Sequence, residues 1–248
     1  MTLLTTEGLS RHFGGVQAVN AVDFALARGE IRAVIGPNGA GKTTLVGMIC
    51  GRVPASAGRI TFEGVDITRM KPWNRVDRGI VYTFQITSVF ANLTCFDNVA
   101  LAVQRSQAWG AEAQWRRRWQ GARGNLARNV ETVLERVGLA SRSAAFASTL
   151  SYGHQRLLEL AIGLALRPKL LILDEPTQGL AGDEIAGFCD LVREVAIDAT
   201  VLLIEHNMSV VMELAHRITV MNNGAILAEG GPAEIEADPV VQRAYLGT

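Results

Sequence analysis

The sequence predicts an α/β fold: a parallel sheet covered by helices, with further short strands in its first third and a helical insert. Three observations carry that prediction. A glycine-rich stretch, Gly36-Pro37-Asn38-Gly39-Ala40-Gly41-Lys42-Thr43-Thr44, joins the β-prone run 30–35 to the helix-like run 43–49. Two later runs are continuously apolar, at 170–173 and 201–204, and each then ends in polar residues, the pattern of strands buried on both faces. Between residues 94 and 147 the β-prone character gives way to helical spacing.

Each element follows in order. Residues 3–9, 16–24, 31–35 and 59–62 are short β-prone runs separated by glycines. Residues 58–67 read as a hairpin turning at Glu63-Gly64. Residues 79–84 form another strand. A helix can start at Asp97, and residues 111–119 and 125–137 carry helical spacing, with Val130, Val133, Leu134 and Val137 on one face. Trp109, Trp115 and Trp119 fall in this insert beside Arg116-Arg117-Arg118. They suit either a solvated helix packing its apolar side or a docking surface for a membrane or partner. A helix over 157–166 ends at Arg167-Pro168. Helices are expected over 184–195 and 208–217. A closing hairpin turns at Asn222-Asn223-Gly224, and the tail 232–247 is helical with a break at Pro239.

The composition suits a globular chain with a sizeable core. Of 248 residues, 48% are hydrophobic and 19% charged. Lys+Arg and Asp+Glu number 24 each, a balance that argues against a nucleic-acid-binding surface. Cys50, Cys95 and Cys189 are far apart and form no metal-binding pattern, so they read as reduced, mostly buried thiols of a cytoplasmic protein. The N-terminus lacks the basic and apolar regions of a signal peptide, and no run of 18 apolar residues occurs.

The stretch from Gly36 to Thr44 fits G-x-x-x-x-G-K-[ST], and strand–loop–helix is the context a phosphate-binding loop requires. Glycines let backbone N–H groups face phosphate oxygens, and the helix N-terminus adds the positive end of its dipole. Lys42 is placed for the β and γ phosphates, and the Thr43 hydroxyl for magnesium. In a parallel sheet, ligands sit beyond the carboxyl ends of the strands. Asp174 and Glu175 end one such strand and His206 its neighbour. Asp174 is the expected magnesium partner. Glu175 is placed to polarise a water or act as general base. The two acids also suit a cap for the helix after Pro176. His206 is a candidate hydrogen-bond partner for a γ-phosphate oxygen. His12, His154 and His216 read as packing or capping residues.

With these motifs in order, the chain resembles the ATP-binding cassette ATPases over essentially its whole length. The resemblance implies a RecA-like P-loop NTPase core with an antiparallel β subdomain (residues 1–88 and 155–248) and an inserted α-helical subdomain (89–154). It implies ATP and Mg2+ as ligands. Phe13 stands where the family stacks an aromatic ring on adenine. Gln85, in Thr83-Phe84-Gln85, stands where a glutamine touches magnesium or the attacking water. Leu150-Ser151-Tyr152-Gly153-His154 resembles the family signature, whose Ser151 and Gly153 would hold the γ-phosphate of a second subunit. Gln178-Gly179-Leu180-Ala181 resembles the dimer-interface loop, and His206 the switch histidine. Four positions depart from the usual pattern: Tyr152 for glycine, His154 for glutamine, Ala181 for aspartate, and Tyr82 where arginine is frequent.

Residues 11–19, Ser151-Tyr152-Gly153 and Ala244-Tyr245-Leu246-Gly247 resemble the branched-chain amino acid importer branch, and the long insert between Gln85 and Ser151 resembles that of its larger ATPase subunit. That implies a peripheral protein on the cytoplasmic face of the inner membrane. Its implied partners are a second ATPase subunit, two transmembrane permeases and, indirectly, a periplasmic substrate-binding protein. Residues 86–103 stand where a coupling helix would press. Alternatives within the same resemblance are importers of urea, short amides or aromatic acids and the lipopolysaccharide exporter. A nucleic-acid or mechanical module usually carries two cassettes, a zinc insertion or a long coiled coil, and this chain has none of these features in its sequence.

Overall fold

A computed structural model describes the backbone of residues 1–83, 88–108 and 115–246, and their side chains except those of 107–125 and 245–246. The chain opens with β1 (Thr2–Phe13), β2 (Val16–Ala27) and β3 (Ile31–Ile35), followed by α1 (Lys42–Ile49). Next come β4 (Ala57–Phe62), β5 (Val65–Asp66), α2 (Pro72–Asp77) and β6 (Ile80–Thr83). The helical part holds α3 (Cys95–Ala108), α4 (Trp115–Arg136) and α5 (Tyr152–Ala165). Then follow β7 (Leu170–Asp174), α6 (Gly182–Asp198), β8 (Thr200–Ile204) and α7 (Met208–Leu214). The chain closes with β9 (Arg217–Asn222), β10 (Ala225–Gly230), α8 (Pro232–Ala237) and α9 (Pro239–Leu246).

Two sheets result. The smaller is antiparallel, in the order β2-β1-β4-β5. The larger has the order β10-β9-β3-β8-β7-β6, parallel throughout except for β10. Its central strands divide the core by alternation. Leu171 and Leu173 of β7, with Val201 and Leu203 of β8, pack against α3, α4, α5 and α6. Leu170 and Ile172, with Leu202 and Ile204, face α1 and the antiparallel sheet. Every residue of β3, β7 and β8 is buried, which explains why these runs carry no polar period.

The expected fold class is observed. The hairpin turns at Glu63-Gly64, both at positive φ (50° and 76°), the two-residue turn whose twist matches its strands. The tail breaks between α8 and α9 at Asp238, as Pro239 predicts. Several boundaries differ from expectation. β1 runs past Leu9 to Phe13, where Arg11, His12 and Phe13 keep pairing with β2, and Gly8 is accommodated within it as a bulge, its N–H donating to Asp23 Oδ1 (2.6 Å). Residues 115–136 form one helix rather than two segments. α3 starts two residues before Asp97, because the Thr94 hydroxyl accepts the Asp97 N–H (3.0 Å). α5 starts at Tyr152, capped by Ser151, five residues before the expected start. α7 stops at Leu214. His216 stays exposed, its Nδ1 accepting from Ile31 N–H (3.1 Å) at the start of β3, a capping role of the expected kind. α2, opened by Pro72, was not anticipated. The reading of Trp109, Trp115, Trp119 and Arg116–Arg118 lies outside the described residues and side chains. No helix among the described residues is long and apolar enough to cross a membrane.

Candidate active site

The loop between β3 and α1 is shaped by its glycines. Gly36 has φ 147°, and a Cβ there would lie 2.1 Å from Met221 O. Gly41 has φ 99°, and a Cβ there would lie 2.3 Å from Ala18 O. Both positions therefore exclude any side chain, which packs the loop against β9 and β2. Pro37, Asn38 and Gly39 lie at the outer turn, closed by Ala40 N–H to Pro37 O (3.2 Å). Gly224 N–H in turn donates to Ala40 O (3.0 Å).

Gly41 is also the N-cap of α1 and supplies no side-chain acceptor. The first turn holds no acidic residue. The N–H groups of Lys42, Thr43 and Thr44 thus point along the helix axis with no capping side chain, a donor set that suits an anion. Lys42 is only 6% exposed, and its Nζ donates to Gly36 O (2.7 Å) and Pro37 O (3.0 Å). Burial lowers its pKa, while the nearby Glu175 and Asp174 carboxylates oppose that shift. Thr43 is exposed beside it.

Asp174 ends β7 opposite Ile204 of β8. Its carboxylate is 2% exposed and accepts the Tyr82 hydroxyl at 2.5 Å. Burial raises the Asp174 pKa, a shift opposed by Tyr82, His206 and Lys42 and reinforced by Glu175. Burial and the Asp174 contact push the Tyr82 phenol up as well. A buried carboxylate at a strand end suits a hard divalent cation, and the exposed Thr43 hydroxyl in the first turn of α1 is a second oxygen donor of that kind. The residues present therefore fit both phosphate and magnesium.

Glu175 follows at φ 49°, a left-handed conformation unusual for a side chain of its size. Its N–H continues the ladder to Ile204 O (2.8 Å), and its carbonyl accepts from Gln178 N–H (3.2 Å). The Glu175 carboxylate accepts a hydrogen bond from His206 Nε2–H. The two strand ends thus meet directly.

Phe13 lies at the end of β1, 46% exposed, with the Arg11 guanidinium 4.4 Å from its ring centroid. It pairs with Val16 at the start of β2, two residues before the Ala18 carbonyl that abuts Gly41. Ser151 and Gly153 lie elsewhere, at the N-terminus of α5. The Ser151 hydroxyl is hydrogen-bonded to His154 Nδ1 (2.6 Å), and a Cβ on Gly153 would lie 2.3 Å from Glu184 Oε1. Gln85 lies outside the described residues.

Two features escaped the sequence reading. One is the Tyr82 hydroxyl on Asp174. The other is Glu205, 3% exposed, whose carboxylate joins the turn after Glu175 to the turn at His206. An acid ending a buried strand was the available signal for the second, because such a charge needs several donors.

Comparison with known proteins gives the family and the fold. The family model described as ABC transporter matches residues 19–178, and the one described as Branched-chain amino acid ATP-binding cassette transporter matches residues 225–248. The chain is 37% identical over 249 residues to the High-affinity branched-chain amino acid transport ATP-binding protein LivG of Salmonella typhimurium, covering 99% of this chain and 98% of that protein. It is 36% identical over 253 residues to the corresponding BraF of Pseudomonas aeruginosa, covering 99% and 98%. Among solved structures, a nucleotide-free ATP-binding cassette from an ABC transporter superposes with a TM-score of 0.86 at 30% identity, covering all of both chains. Matched along its whole length in sequence and in fold, the chain belongs to the ABC transporter ATPases, in their branched-chain amino acid branch.

Proposed function

We propose that this chain is the ATP-hydrolysing subunit of an importer for branched-chain or related amino acids. Its place is the cytoplasmic face of the inner membrane. It pairs there with a second ATPase subunit, homologous or identical, beneath two permease subunits served by a periplasmic binding protein. The observation that supports the chemistry most is the convergence of the uncapped α1 N-terminus, Lys42, Asp174 and the Glu175–His206 pair at the carboxyl ends of adjacent strands.

ATP is the substrate in this reading. The amides of residues 39–44 and Lys42 hold its phosphates, and Phe13 stacks on its base. Thr43, Asp174 and Gln85 hold magnesium, which when bound neutralises charge developing on the transferred phosphoryl group. Glu175 orients a water and accepts its proton, and His206 holds Glu175 and a phosphate oxygen in place. Lys42 leaves its two carbonyl acceptors, Gly36 O and Pro37 O, for the stronger phosphate acceptors. Ser151 and Gly153 complete the site of the other subunit. Residues 89–154 form the helical subdomain and carry that signature, and residues 1–88 and 155–248 form the core.

Deletion of the gene followed by uptake of labelled leucine, urea and aromatic acids tests the cargo. Loss of leucine uptake alone is expected. Unchanged uptake of every one of these would contradict the importer reading.

A further inference from the structure

We propose that Glu205 is a positioning residue for hydrolysis, its buried carboxylate fixing the turn that carries Glu175 against the turn that carries His206. The inference rests on the catalytic roles given to Glu175 and His206 above. Its basis is how the two carboxylate oxygens divide their work. Oε1 accepts from Thr177, through the backbone N–H (3.0 Å) and the hydroxyl. Oε2 accepts from the His206 N–H (2.8 Å) and the Asn207 N–H (3.1 Å). One oxygen therefore serves the turn two residues beyond Glu175, and the other serves the turn of the histidine itself. A planar carboxylate holds its oxygens at fixed separation, so it sets the spacing of the two segments.

The Glu175 turn needs such support. Glu175 sits at φ 49°, and a side-chain-bearing residue keeps that conformation only where its surroundings over-determine it. Ile204 O holds the N–H of Glu175, and Glu205 holds Thr177 on the far side of Pro176. On the other turn, Asn207 also caps α7 by accepting from Ser209 N–H (3.1 Å), which anchors the histidine segment to a helix. The Glu175–His206 hydrogen bond is thus the contact between two segments that Glu205 clamps together. A displacement of about 1 Å in a general base can cost about 100-fold in rate.

The test uses Glu205→Gln, whose amide nitrogen cannot accept on one of the two sides, and Thr177→Val, which removes the hydroxyl donor and leaves the backbone N–H. Both are compared with wild type and Glu175→Gln for steady-state MgATP hydrolysis and for the 15N shift of the His206 ring. The chain holds only four histidines, which makes the ring signals assignable. Glu205→Gln should lower kcat by about 30–100-fold with KM changed by less than about twofold, because its bonds run to the two turns and not to the loop of residues 36–44. The His206 ring shift should move toward its value in Glu175→Gln. Thr177→Val should move both in the same direction by less, and it carries the test if Glu205→Gln does not fold. A wild-type kcat in the folded variants, or a rise in KM that accounts for the loss, overturns the inference, and so does an unmoved His206 signal. A wild-type rate in Glu175→Gln overturns the catalytic assignment and this inference with it. An inactive Glu175→Gln beside a wild-type Glu205→Gln overturns this inference alone.

Discussion

Arg75 is a fully buried cation at the C-terminal end of α1, and its replacement by methionine should destabilise the protein strongly. Its guanidinium makes four hydrogen bonds to backbone carbonyls. Nη1 donates to Met48 O (2.6 Å) and Ile49 O (2.8 Å), Nε to Met70 O (3.0 Å) and Nη2 to Thr68 O (3.0 Å). Met48 and Ile49 end α1, the helix whose N-terminus carries Lys42. A cation there complements the negative end of the helix dipole. Gly51 keeps the space open, since a Cβ on it would lie 2.8 Å from Arg75 Nε. Methionine fills most of the volume but donates nothing. At about 1 kcal/mol net per bond, the loss comes to about 3–4 kcal/mol, within the range for breaking a buried charged network. For a chain of this size, each kcal/mol shifts the melting temperature by about 2–4 °C, so a drop of about 6–16 °C is expected. Differential scanning fluorimetry and urea unfolding measure it. Arg28→Met is the control: Arg28 is 51% exposed in its ion pair with Glu63, and its loss should cost less than about 1 kcal/mol. Equal melting temperatures for Arg75→Met and Arg28→Met would refute the reasoning.

Three further outcomes follow from the geometry. Gly41→Ala should weaken ATP binding more than about tenfold in equilibrium titration with the helix content retained, because the left-handed φ alone costs about 1–2 kcal/mol and the new Cβ overlaps Ala18 O; an unchanged affinity would contradict the loop's role. Asp174→Asn should stabilise the nucleotide-free protein at neutral and higher pH. The folded pKa of Asp174 is raised, so its charged form destabilises the native state above that pKa, and the penalty fades as pH falls toward the ordinary carboxylate value; urea midpoints across pH should converge at the acidic end. Burial raises the thiol pKa values of Cys50, Cys95 and Cys189, the last to about 11, so native protein should resist iodoacetamide at pH 8 while urea-unfolded protein takes up three equivalents; rapid labelling of the native form would contradict their burial.

Much of this molecule was legible where sequence pattern and tertiary role coincide. Strands β7 and β8 are buried on both faces, so their apolar runs had no other reading. Glu63-Gly64 and Gly36–Thr44 carry their backbone requirements in their residue types. Legibility failed where a distant partner decides. The run over 3–9 was legible as a strand, but not the bulge at Gly8 that Asp23 holds. His216 looked helical, but Ile31 pulls it to the sheet. The site showed the same division. Lys42, Asp174, Glu175 and His206 announce themselves by position, whereas the links that hold them, Tyr82 to Asp174 and Glu205 to Thr177, join residues 92 and 28 apart. No local period encodes such pairs. Ser151 and Gly153 were legible only through the family resemblance, since within one chain they contact His154 and Glu184 rather than the loop.

The most direct test of the central claim is phosphate release from MgATP by the purified chain, wild type beside Glu175→Gln, with ATP affinity measured in parallel. The account predicts turnover by the wild type, and a Glu175→Gln protein that binds ATP with wild-type affinity yet releases phosphate at least about 100-fold more slowly. Hydrolysis by Glu175→Gln at the wild-type rate would contradict it.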